Sequence, residues 1–403
     1  MIAAMPSAAD THPTLAIALV TETYPPEING VAMTMSRLVG GLAARGHRIQ
    51  VVRPRQVGEL GEPAQADPQV RELVRPGLPI PGYSALRLGI PSTGVLLARW
   101  RAQRPDVVHV VTEGPLGCSA LNAAEKLGIP VTSSYHTNFD DYTKHYRIGM
   151  LGGVVEGWLR RFHNRTSVTM VPSTDLVGRL ERSGYRNCAL WSRGVDLELF
   201  NPAHRDQGLR SSWGASPDDL VCLHVGRVAP EKDIAMALEA FRAIRAVLPR
   251  ARMLVAGEGP SRPALQRAFP EVQFTGALPV ADLARTYASA DLFLFPSRSE
   301  TFGNVLCEAM ASGLPAVGFD YAAARMHGRD GANMLTVPFD QPDRFTPTAL
   351  RLAGDPALRA ALAAEGLATM QANAWSRVVD RFEELLWRSV RISRGSALEA
   401  LCT

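Results

Sequence analysis

Cysteine is scarce in this sequence, and no two cysteines are spaced as a pair. The 403 residues include five cysteines, all far apart in the chain, and no C-x-x-C motif. An odd and scattered set suits neither a disulfide framework nor a cysteine zinc site, so we expect reduced thiols in a cytoplasmic protein. The sequence also lacks a D-x-D triplet, a histidine cluster at ligand spacing and a G-x-x-x-x-G-K-S/T loop. We therefore expect neither a protein-held metal ion nor a P-loop.

Long apolar runs and a large excess of charge are absent as well. No uninterrupted apolar stretch reaches about 18 residues, the length that a membrane-spanning helix needs. Residues 1–14 lack the charged start and apolar run of a signal peptide, which predicts that the chain is not exported by that route. Lysine plus arginine number 43 against 39 for aspartate plus glutamate, and a net charge of +4 is too small to indicate a nucleic-acid partner.

The chain instead shows an alternation of two patterns. Short apolar runs are each followed by a longer amphipathic stretch. Near-continuous apolar strands that alternate with helices are typical of a parallel sheet covered on both faces. The ten runs are residues 15–20, 49–52, 107–111, 131–134, 168–171, 221–225, 253–256, 272–274, 292–295 and 315–319.

The ten runs fall into two sets of five, and 403 residues suit two domains at about 150 residues each. A turn-rich segment, residues 191–202, separates the sets and is the best place for a linker. We therefore predict an α/β protein with two parallel-sheet domains, residues 1–195 and 196–373, and a helical tail in residues 374–403. Open parallel sheets bind ligands beyond the carboxyl ends of their strands, so two facing sheets would place the active site in the cleft between them.

Two loops that follow predicted strands carry residues suited to phosphate. Gly30 stands after the first strand at the entrance of a helix, where backbone amides suit an anion, and an ordinary turn glycine is the alternative reading. Arg227 and Lys232 follow the sixth strand, five residues apart. An arginine fork and a lysine charge can neutralise a nucleotide diphosphate without a metal, whereas the alternative is a solvated surface loop.

The most specific stretch is residues 296–315, where a strand ends at Pro296 and a helix is predicted to start near Gly303. Glu300 precedes that helix, and Glu308 lies about one and a half turns inside it. Two carboxylates beside a phosphate-binding helix end would repel the phosphate unless they face hydroxyl groups, which a sugar nucleotide carries on its hexose and its ribose. The alternative is that either glutamate simply favours the helix dipole.

Histidine is the remaining candidate for chemistry. His136 directly follows the run at residues 131–134, at the carboxyl end of a predicted strand. A lone histidine is more often a structural hydrogen-bonding residue than a catalyst. A position at the carboxyl end of a strand gives the catalytic interpretation more weight, and both interpretations stay open. His109 lies in the middle of the run at residues 107–111, and we assign it to the core.

Together these motifs resemble the retaining glycosyltransferases of family 4, which have the GT-B architecture. The resemblance covers most of the chain, and its most specific element is the E-x7-E pattern from Glu300 to Glu308 that continues to Gly313-Leu314-Pro315. It implies two Rossmann-like domains around a deep cleft, with the last helix crossing back onto the first domain. It also implies a UDP- or GDP-hexose donor held mainly by the second domain, with no cofactor and no required metal.

The resemblance further implies roles for individual residues. In the mechanism usually proposed for such enzymes, the leaving diphosphate takes the acceptor proton on the same face, so the protein need supply no nucleophile. Carried over by position, the family's roles fall on nine residues. Arg227 and Lys232 would bind the donor diphosphate, and Glu308 would bind the ribose. Glu300 would bind the hexose together with Phe302, Gly303 and Asn304, while Gly30 would contact the phosphate or acceptor and His136 would lie near the reacting carbon.

Within the family, residues 21–26, 79–91, 112–117 and 135–138 are most similar to the lipid glycosyltransferases near the sulfoquinovosyl-diacylglycerol synthases and bacterial α-mannosyltransferases. One departure is residues 320–325, where many relatives have a glycine pair and an acidic residue, and it affects the expected hexose contacts.

A lipid acceptor needs a route to the membrane, and residues 144–165 provide a candidate. They predict a basic amphipathic helix that places Trp158, Arg160 and Arg161 against an anionic bilayer, with Val154, Val155, Leu159 and Phe162 completing an apolar stripe. An ordinary packing helix with a charged outer face is the alternative.

Our hypothesis is a cytoplasmic enzyme, peripheral on the inner membrane, that moves a hexose from a nucleotide sugar to a lipid hydroxyl of diacylglycerol or a glycolipid with retention of configuration. The same chemistry on a soluble acceptor is the first alternative. A two-lobed sugar-binding protein and a glycosidase that uses Glu300 and Glu308 are the others.

Overall fold

The computed structural model describes residues 13–27, 29–56, 58–59, 61, 67–80, 83–136, 152–298 and 303–401. The chain divides into two compact units. The first comprises residues 1–172, 176–191 and 379–403, and the second comprises residues 173–175 and 192–378.

The first unit contains a seven-stranded sheet in which every neighbouring pair is parallel. Its strands are β1 (Ala16–Val20), β2 (Arg48–Pro54), β3 (Val70–Arg75), β6 (Val107–Val110), β7 (Val131–Ser134), β8 (Val168–Val171) and β9 (Cys188–Leu190), and β4 (Gly77–Ile80) and β5 (Tyr83–Gly89) form a separate antiparallel hairpin. The order across the sheet is β3-β2-β1-β6-β7-β8-β9. Helices connect the strands: α1 (Gly30–Ala44), α2 (Thr93–Ala102), α3 (Pro115–Lys126), α4 (Gly152–His163) and α5 (Thr174–Arg182).

The second unit contains a six-stranded parallel sheet. Its strands are β10 (Val221–Val225), β11 (Arg252–Ala256), β12 (Gln273–Gly276), β13 (Leu292–Phe295), β14 (Ala316–Phe319) and β15 (Leu335–Val337), in the order β12-β11-β10-β13-β14-β15. Its helices are α6 (Gln207–Ser212), α7 (Ile234–Val247), α8 (Arg262–Ala268), α9 (Val280–Ser289), α10 (Asn304–Ala311), α11 (Ala322–His327), α12 (Phe345–Gly354) and α13 (Pro356–Gln371), and the long α14 (Trp375–Leu401) follows.

All ten apolar runs form strands, which confirms the predicted α/β class with two parallel sheets. Central strands such as β6, β7, β10 and β13 are buried at every residue, because helices cover both faces of each sheet. The sequence prediction missed β3, β9, β15 and the hairpin. The strand β3 is a half-buried edge strand that mixes apolar and charged residues, while β9 and β15 are only three residues long, so each leaves a weak signal in the sequence.

The C-terminal helix α14 contributes its residues from Val379 onward to the first unit. The ring of Phe382 packs edge-on against His109 at 4.8 Å and also contacts Trp191 at 5.1 Å. Arg45, next to the end of α1, donates to the carboxylates of Asp380 at 2.6 Å and Glu383 at 2.8 Å. An apolar stripe flanked by ion pairs therefore fixes α14 against this unit. No helix among the described residues is both long enough and apolar enough to span a bilayer.

In the second unit, the loops after β10 and β11 are joined backbone to backbone. The amide of Gly226 donates to the carbonyl of Ala256 at 3.0 Å, and the amide of Val228 donates to the carbonyl of Glu258 at 2.8 Å. Gly257 lies between these bonds at a φ of 145°, and a Cβ there would stand 1.9 Å from the carbonyl oxygen of Gly226. Only glycine fits, because both the backbone conformation and the space exclude a side chain.

We predict that Gly257→Ala destabilises the second unit and displaces the loop after β10. The clash is with backbone that is itself hydrogen-bonded, so we expect the free energy of unfolding to fall by on the order of 3 kcal/mol in chemical denaturation. Gly354→Ala is the matched control, since a Cβ at that position has no atom within 4 Å and no positive φ to oppose it. Gly257→Ala unfolding at the same denaturant concentration as Gly354→Ala would contradict this account.

Candidate functional site

The loop after β10 carries the two cations that the sequence assigned to a diphosphate. A single turn of 3-10 helix, Pro230–Lys232, leads from this loop to α7. Arg227 is 67% exposed and pairs with Glu231 one turn later. The Nζ of Lys232 lies 3.5 Å from the Oγ of Ser297, which follows β13, the neighbouring strand. Both cations thus lie at the carboxyl edge of the second sheet, where parallel α/β sheets bind ligands.

The partner of Arg227 shapes what this loop can bind. Burial alone would raise the pKa of the Glu231 carboxyl, but hydrogen bonding to its own backbone amide and the charge of Arg227 outweigh burial and hold that pKa below its usual value. Glu231 is therefore ionised near neutral pH and occupies the Arg227 guanidinium. An incoming phosphate would compete with this carboxylate for the arginine, so the loop is suited to a strongly anionic ligand.

Glu308 lies inside α10, half-buried, and its Oε2 accepts a hydrogen bond of 3.1 Å from the hydroxyl of Tyr287 on α9. Tyr287 is fully buried, and its ring packs between Phe200 at 5.8 Å and Phe293 at 5.9 Å. A rigid aromatic group therefore fixes one carboxylate oxygen of Glu308, and the carboxylate retains capacity to accept from hydroxyl groups.

Gly303 directly precedes α10, and its φ of 71° and ψ of 51° place it in the left-handed region. A Cβ at Gly303 would stand 2.3 Å from the Cβ of Ala323, so glycine is required here by both conformation and space. Asn304 is the first residue of α10, and its side chain is exposed. Residues 299–302, with Glu300 and Phe302, lie outside the described residues.

In the first unit, Gly30 begins α1 after β1, as the sequence predicted. The preceding Asn29 caps this helix, because its Oδ1 accepts from the amides of Val31 and Ala32, both at 2.9 Å. Its Nδ2 donates to the Oγ1 of Thr23 at 2.6 Å. Two of the amides that an anion would use are thus already satisfied by the chain. The assignment of Gly30 to phosphate or acceptor stays a prediction.

His136 lies after β7, partly exposed, next to the buried Tyr135. His109 is fully buried between Thr132, whose Oγ1 is 2.9 Å from Nδ1, and Ser134, whose Oγ is 3.0 Å from Nε2. Burial lowers the pKa of His109 to about 3, which keeps its ring neutral. His109 is a core residue, as the sequence predicted, and the assignment of His136 to the neighbourhood of the reacting carbon stays a prediction.

Sequence reasoning missed Glu22, which connects three loops at this edge. Its Oε1 accepts from the amide of Leu116 at 2.9 Å, at the start of α3, and its Oε2 accepts from the amide of Gly89 at 2.5 Å, at the end of the hairpin. Burial raises the pKa of Glu22, although these backbone bonds partly oppose the rise. The sequence feature that could have revealed Glu22 is a carboxylate shortly after an apolar strand. The loops that Glu22 connects lie within residues 21–26, 79–91 and 112–117, which are among the segments most similar to lipid glycosyltransferases.

The side chains of the predicted apolar stripe on α4 are partly buried in the unit and partly exposed. Leu159 and Phe162 are buried in the unit, whereas Val154 is 68% exposed and Trp158 is 45% exposed. His163, the last residue of this helix, lies between the Glu113 carboxylate and the Ser133 hydroxyl, each at 2.9 Å, and all three side chains are buried. This polar network fixes α4 to the sheet, so that its outer apolar side chains are presented by a rigid element. Residues 144–151 of the predicted helix lie outside the described residues.

The outer face of α4 is also basic. Arg160 and Arg161 are exposed, and Arg160 donates to the carbonyl of Ser183 at 2.9 Å. Arg165, beyond the helix, pairs with Glu125. Across the described residues, no three histidine, cysteine, aspartate or glutamate side chains are grouped as a metal site would require.

Comparison with known proteins identifies the family. Residues 28–199 match the model of Glycosyltransferase Family 4, and residues 219–355 match that of Glycosyl transferases group 1. A GDP-mannose-dependent alpha-mannosyltransferase of Mycobacterium tuberculosis is 34% identical over 309 residues, which cover 77% of this chain and 80% of that protein. An alpha-monoglucosyldiacylglycerol synthase of Acholeplasma laidlawii is 28% identical over 75% of this chain and 79% of that protein.

Among solved structures, a sucrose-phosphate synthase from Thermosynechococcus elongatus superposes with a TM-score of 0.72 at 18% identity, over 94% of this chain and 100% of that one. This similarity concerns the fold alone. With the sequence matches, it confirms the resemblance inferred from the motifs and sets aside the sugar-binding protein and the glycosidase. The chain belongs to the family 4 glycosyltransferases and is a glycosyltransferase of the GT-B fold.

Proposed function

We propose that this glycosyltransferase moves a hexose from a nucleotide-diphosphate sugar to a lipid hydroxyl, with retention of configuration and without a required metal. The observation that carries the proposal is the arrangement on the second sheet, where Arg227 and Lys232 at the end of β10 supply positive charge and Glu308 on α10 supplies an oriented carboxylate. A nucleotide-diphosphate sugar has the matching groups, a diphosphate for the cations and ribose hydroxyls for the carboxylate.

The same groups serve the reaction. As the bond between the anomeric carbon and the phosphate oxygen breaks, negative charge grows on the leaving diphosphate, and Arg227 and Lys232 stabilise it. The acceptor oxygen forms its bond to the anomeric carbon on the same face, and its proton passes to the leaving phosphate oxygen. Because two protein cations neutralise the diphosphate, we propose that no metal ion is needed for this step.

The lipid acceptor is supported by the first unit. The exposed side chains of α4 include Val154, Val155, Trp158, Arg160 and Arg161, a combination that suits the surface of an anionic bilayer. The name of the Acholeplasma relative refers to a diacylglycerol product. We therefore propose a peripheral enzyme of the inner membrane surface that acts on diacylglycerol or a glycolipid. The same transfer to a soluble acceptor is the alternative.

The direct test is incubation of the protein with UDP-glucose or GDP-mannose and a bacterial lipid extract, in buffer with EDTA. We expect one of the donors to yield a glycolipid whose new linkage has the anomeric configuration of the donor sugar. Transfer to a soluble sugar alone would select the alternative. Loss of activity in EDTA that Mg²⁺ restores would contradict metal independence, and an inverted product would contradict retention.

We predict that Arg227→Ala and Lys232→Ala each weaken donor binding. Each substitution leaves part of the diphosphate charge unpaired, which corresponds to about 1.5–3 kcal/mol, or roughly 10- to 150-fold in affinity. Calorimetry with UDP and GDP measures this change. Arg242→Ala is the matched control, because Arg242 is an exposed, ion-paired arginine on α7 of the same unit. Unchanged affinity for the preferred nucleotide in both loop variants would remove the assignment.

We predict that Tyr287→Phe weakens nucleotide binding less than Glu308→Gln does. The first change removes only the hydroxyl that orients the carboxylate, at about 0.5–1.5 kcal/mol, whereas the second also removes the charge that would accept from the ribose, at about 1.5–3 kcal/mol. The double variant should resemble Glu308→Gln alone, since Tyr287 acts through Glu308. Fully additive losses in the double variant would show that the two side chains act independently.

We predict that α4 mediates vesicle binding. Replacing both Arg160 and Arg161 with glutamine should weaken binding to anionic vesicles by about 1 kcal/mol per charge, as measured by sedimentation. The effect should fade as salt is added. Trp158→Ala should reduce it as well and change the melting temperature little, because this side chain is nearly half exposed.

The control for α4 is the double change Arg101→Gln and Lys126→Gln, which removes two exposed charges in the last turns of α2 and α3. We expect this control to sediment like the wild type. Wild-type vesicle binding by the Arg160 and Arg161 variant, together with a large loss of melting temperature in Trp158→Ala, would show that α4 only packs.

A further inference from the structure

His224 on β10 has an unsatisfied buried nitrogen beside the diphosphate loop. Its side chain is 1% exposed, and its Nδ1 donates to the carbonyl oxygen of Leu294 on β13 at 2.9 Å. Because that carbonyl can only accept, Nδ1 carries the proton, and Nε2 of the neutral ring is an acceptor. Nε2 has no hydrogen-bond partner among the described residues. A buried polar atom without a partner is rare in folded proteins and requires an explanation.

Nε2 lies at the carboxyl end of β10 and is itself buried. A Cβ built on Gly226, the residue before Arg227, would stand 3.7 Å from Nε2, with no other atom within 4 Å beyond the two residues that adjoin Gly226. The charge of Lys232 acts on the ring of His224. The Oγ of Ser297, within 3.5 Å of the Lys232 Nζ, stands at the end of the neighbouring strand. Nε2 therefore lies beside the same groups that we assign to the donor diphosphate.

We propose that His224 is a further donor-binding residue, whose Nε2 takes up a proton when the nucleotide sugar binds and then donates a hydrogen bond to a diphosphate oxygen. This inference rests on the proposed nucleotide-sugar donor. The proton comes from the solvent, and the pair formed is an imidazolium beside a phosphate oxyanion. Nδ1 keeps its proton and its bond to Leu294, so the ring need not turn.

The electrostatics of the free site favour the neutral ring. Burial lowers the pKa of His224 to about 4, the hydrogen bond to Leu294 partly opposes this, and the positive charge of Lys232 lowers it further. A bound diphosphate would add two negative charges beside Lys232 and supply the missing acceptor for an Nε2 proton. Both changes favour the charged ring, so the pKa of His224 rises on binding.

Few other ionisable groups surround this histidine. The helix α7 and the strand β11 pack apolar side chains against this face of β10. The thiol of Cys222 on the same strand is fully buried, and burial raises its pKa, so it remains neutral. Within the described residues, the titratable or polar groups of β10 and of the loops after β10 and β13 are Cys222, Arg227, Glu231, Lys232, Asp233, Ser297 and Arg298. The charged side chains of the helices α7 and α12 on this side of the sheet, which are Glu239, Arg242, Arg245 and Arg351, are exposed. His224 is therefore the group in this set whose protonation a bound diphosphate would change near neutral pH.

Calorimetry with GDP-mannose and UDP-glucose tests this inference directly. Both phosphates of a nucleotide sugar are diesters that stay ionised near neutral pH, so any proton exchanged belongs to the protein. Binding heats in two buffers of different ionisation enthalpy give the number of protons taken up. For the wild type at pH 6.5 we expect on the order of one proton per donor bound, and a Kd that rises by up to about tenfold per pH unit above that pH.

Two substitutions separate proton uptake from packing. His224→Gln places an amide near the position of Nε2 that can donate but cannot titrate, so we expect donor binding with no proton uptake and a Kd independent of pH. His224→Phe should lose the uptake and also bind at least about tenfold more weakly at pH 6.5. His204→Gln is the control, because His204 is exposed in the same unit, and it should retain the uptake of the wild type.

The outcomes are distinct. Donor binding by the wild type with no net proton uptake would overturn the role of His224 and leave the proposed function intact, whether or not the variants fold. Uptake that persists in His224→Gln would overturn it as well. Failure of the wild type to bind either nucleotide sugar would contradict the proposed function, and with it the premise of this inference.

Discussion

The close approach of two backbone loops at the carboxyl edge of the second sheet determines the geometry of the proposed donor site. The loop after β10 is held by hydrogen bonds to the loop after β11, and the absence of a side chain at Gly257 makes this contact possible. The cations Arg227 and Lys232 are carried by this loop, and the buried Nε2 of His224 lies next to it. The loop is therefore held in place by its backbone hydrogen bonds.

Polar groups near the predicted ligand sites already have partners within the chain. Arg227 pairs with Glu231, Glu308 accepts from Tyr287, and Asn29 caps the helix that begins at Gly30. These partners satisfy the polar groups in the free protein. They also define what a ligand must exchange on binding, so the site favours an anion strong enough to displace a carboxylate from an arginine.

The first unit uses buried polar groups for a different purpose. Glu22 connects the hairpin to the start of α3, and the pair of Glu113 and His163 anchors α4. The pair of Glu113 and His163 positions α4, whose outer side carries Trp158 and the arginines. Glu22 links three of the four segments that are most similar to lipid glycosyltransferases.

The sequence by itself determined the ten apolar strands, the family and the positions of the two cations, because continuous burial and short motifs leave a local signature. It did not reveal β3, a half-buried edge strand of mixed apolar and charged residues, or β15, which is only three residues long. Tertiary structure alone decided that Glu22 joins three loops, that Leu159 packs inward while Trp158 faces out, and that Nε2 of His224 lacks a partner. Each of these facts depends on residues distant in the chain, and a one-dimensional pattern does not encode which side chains meet.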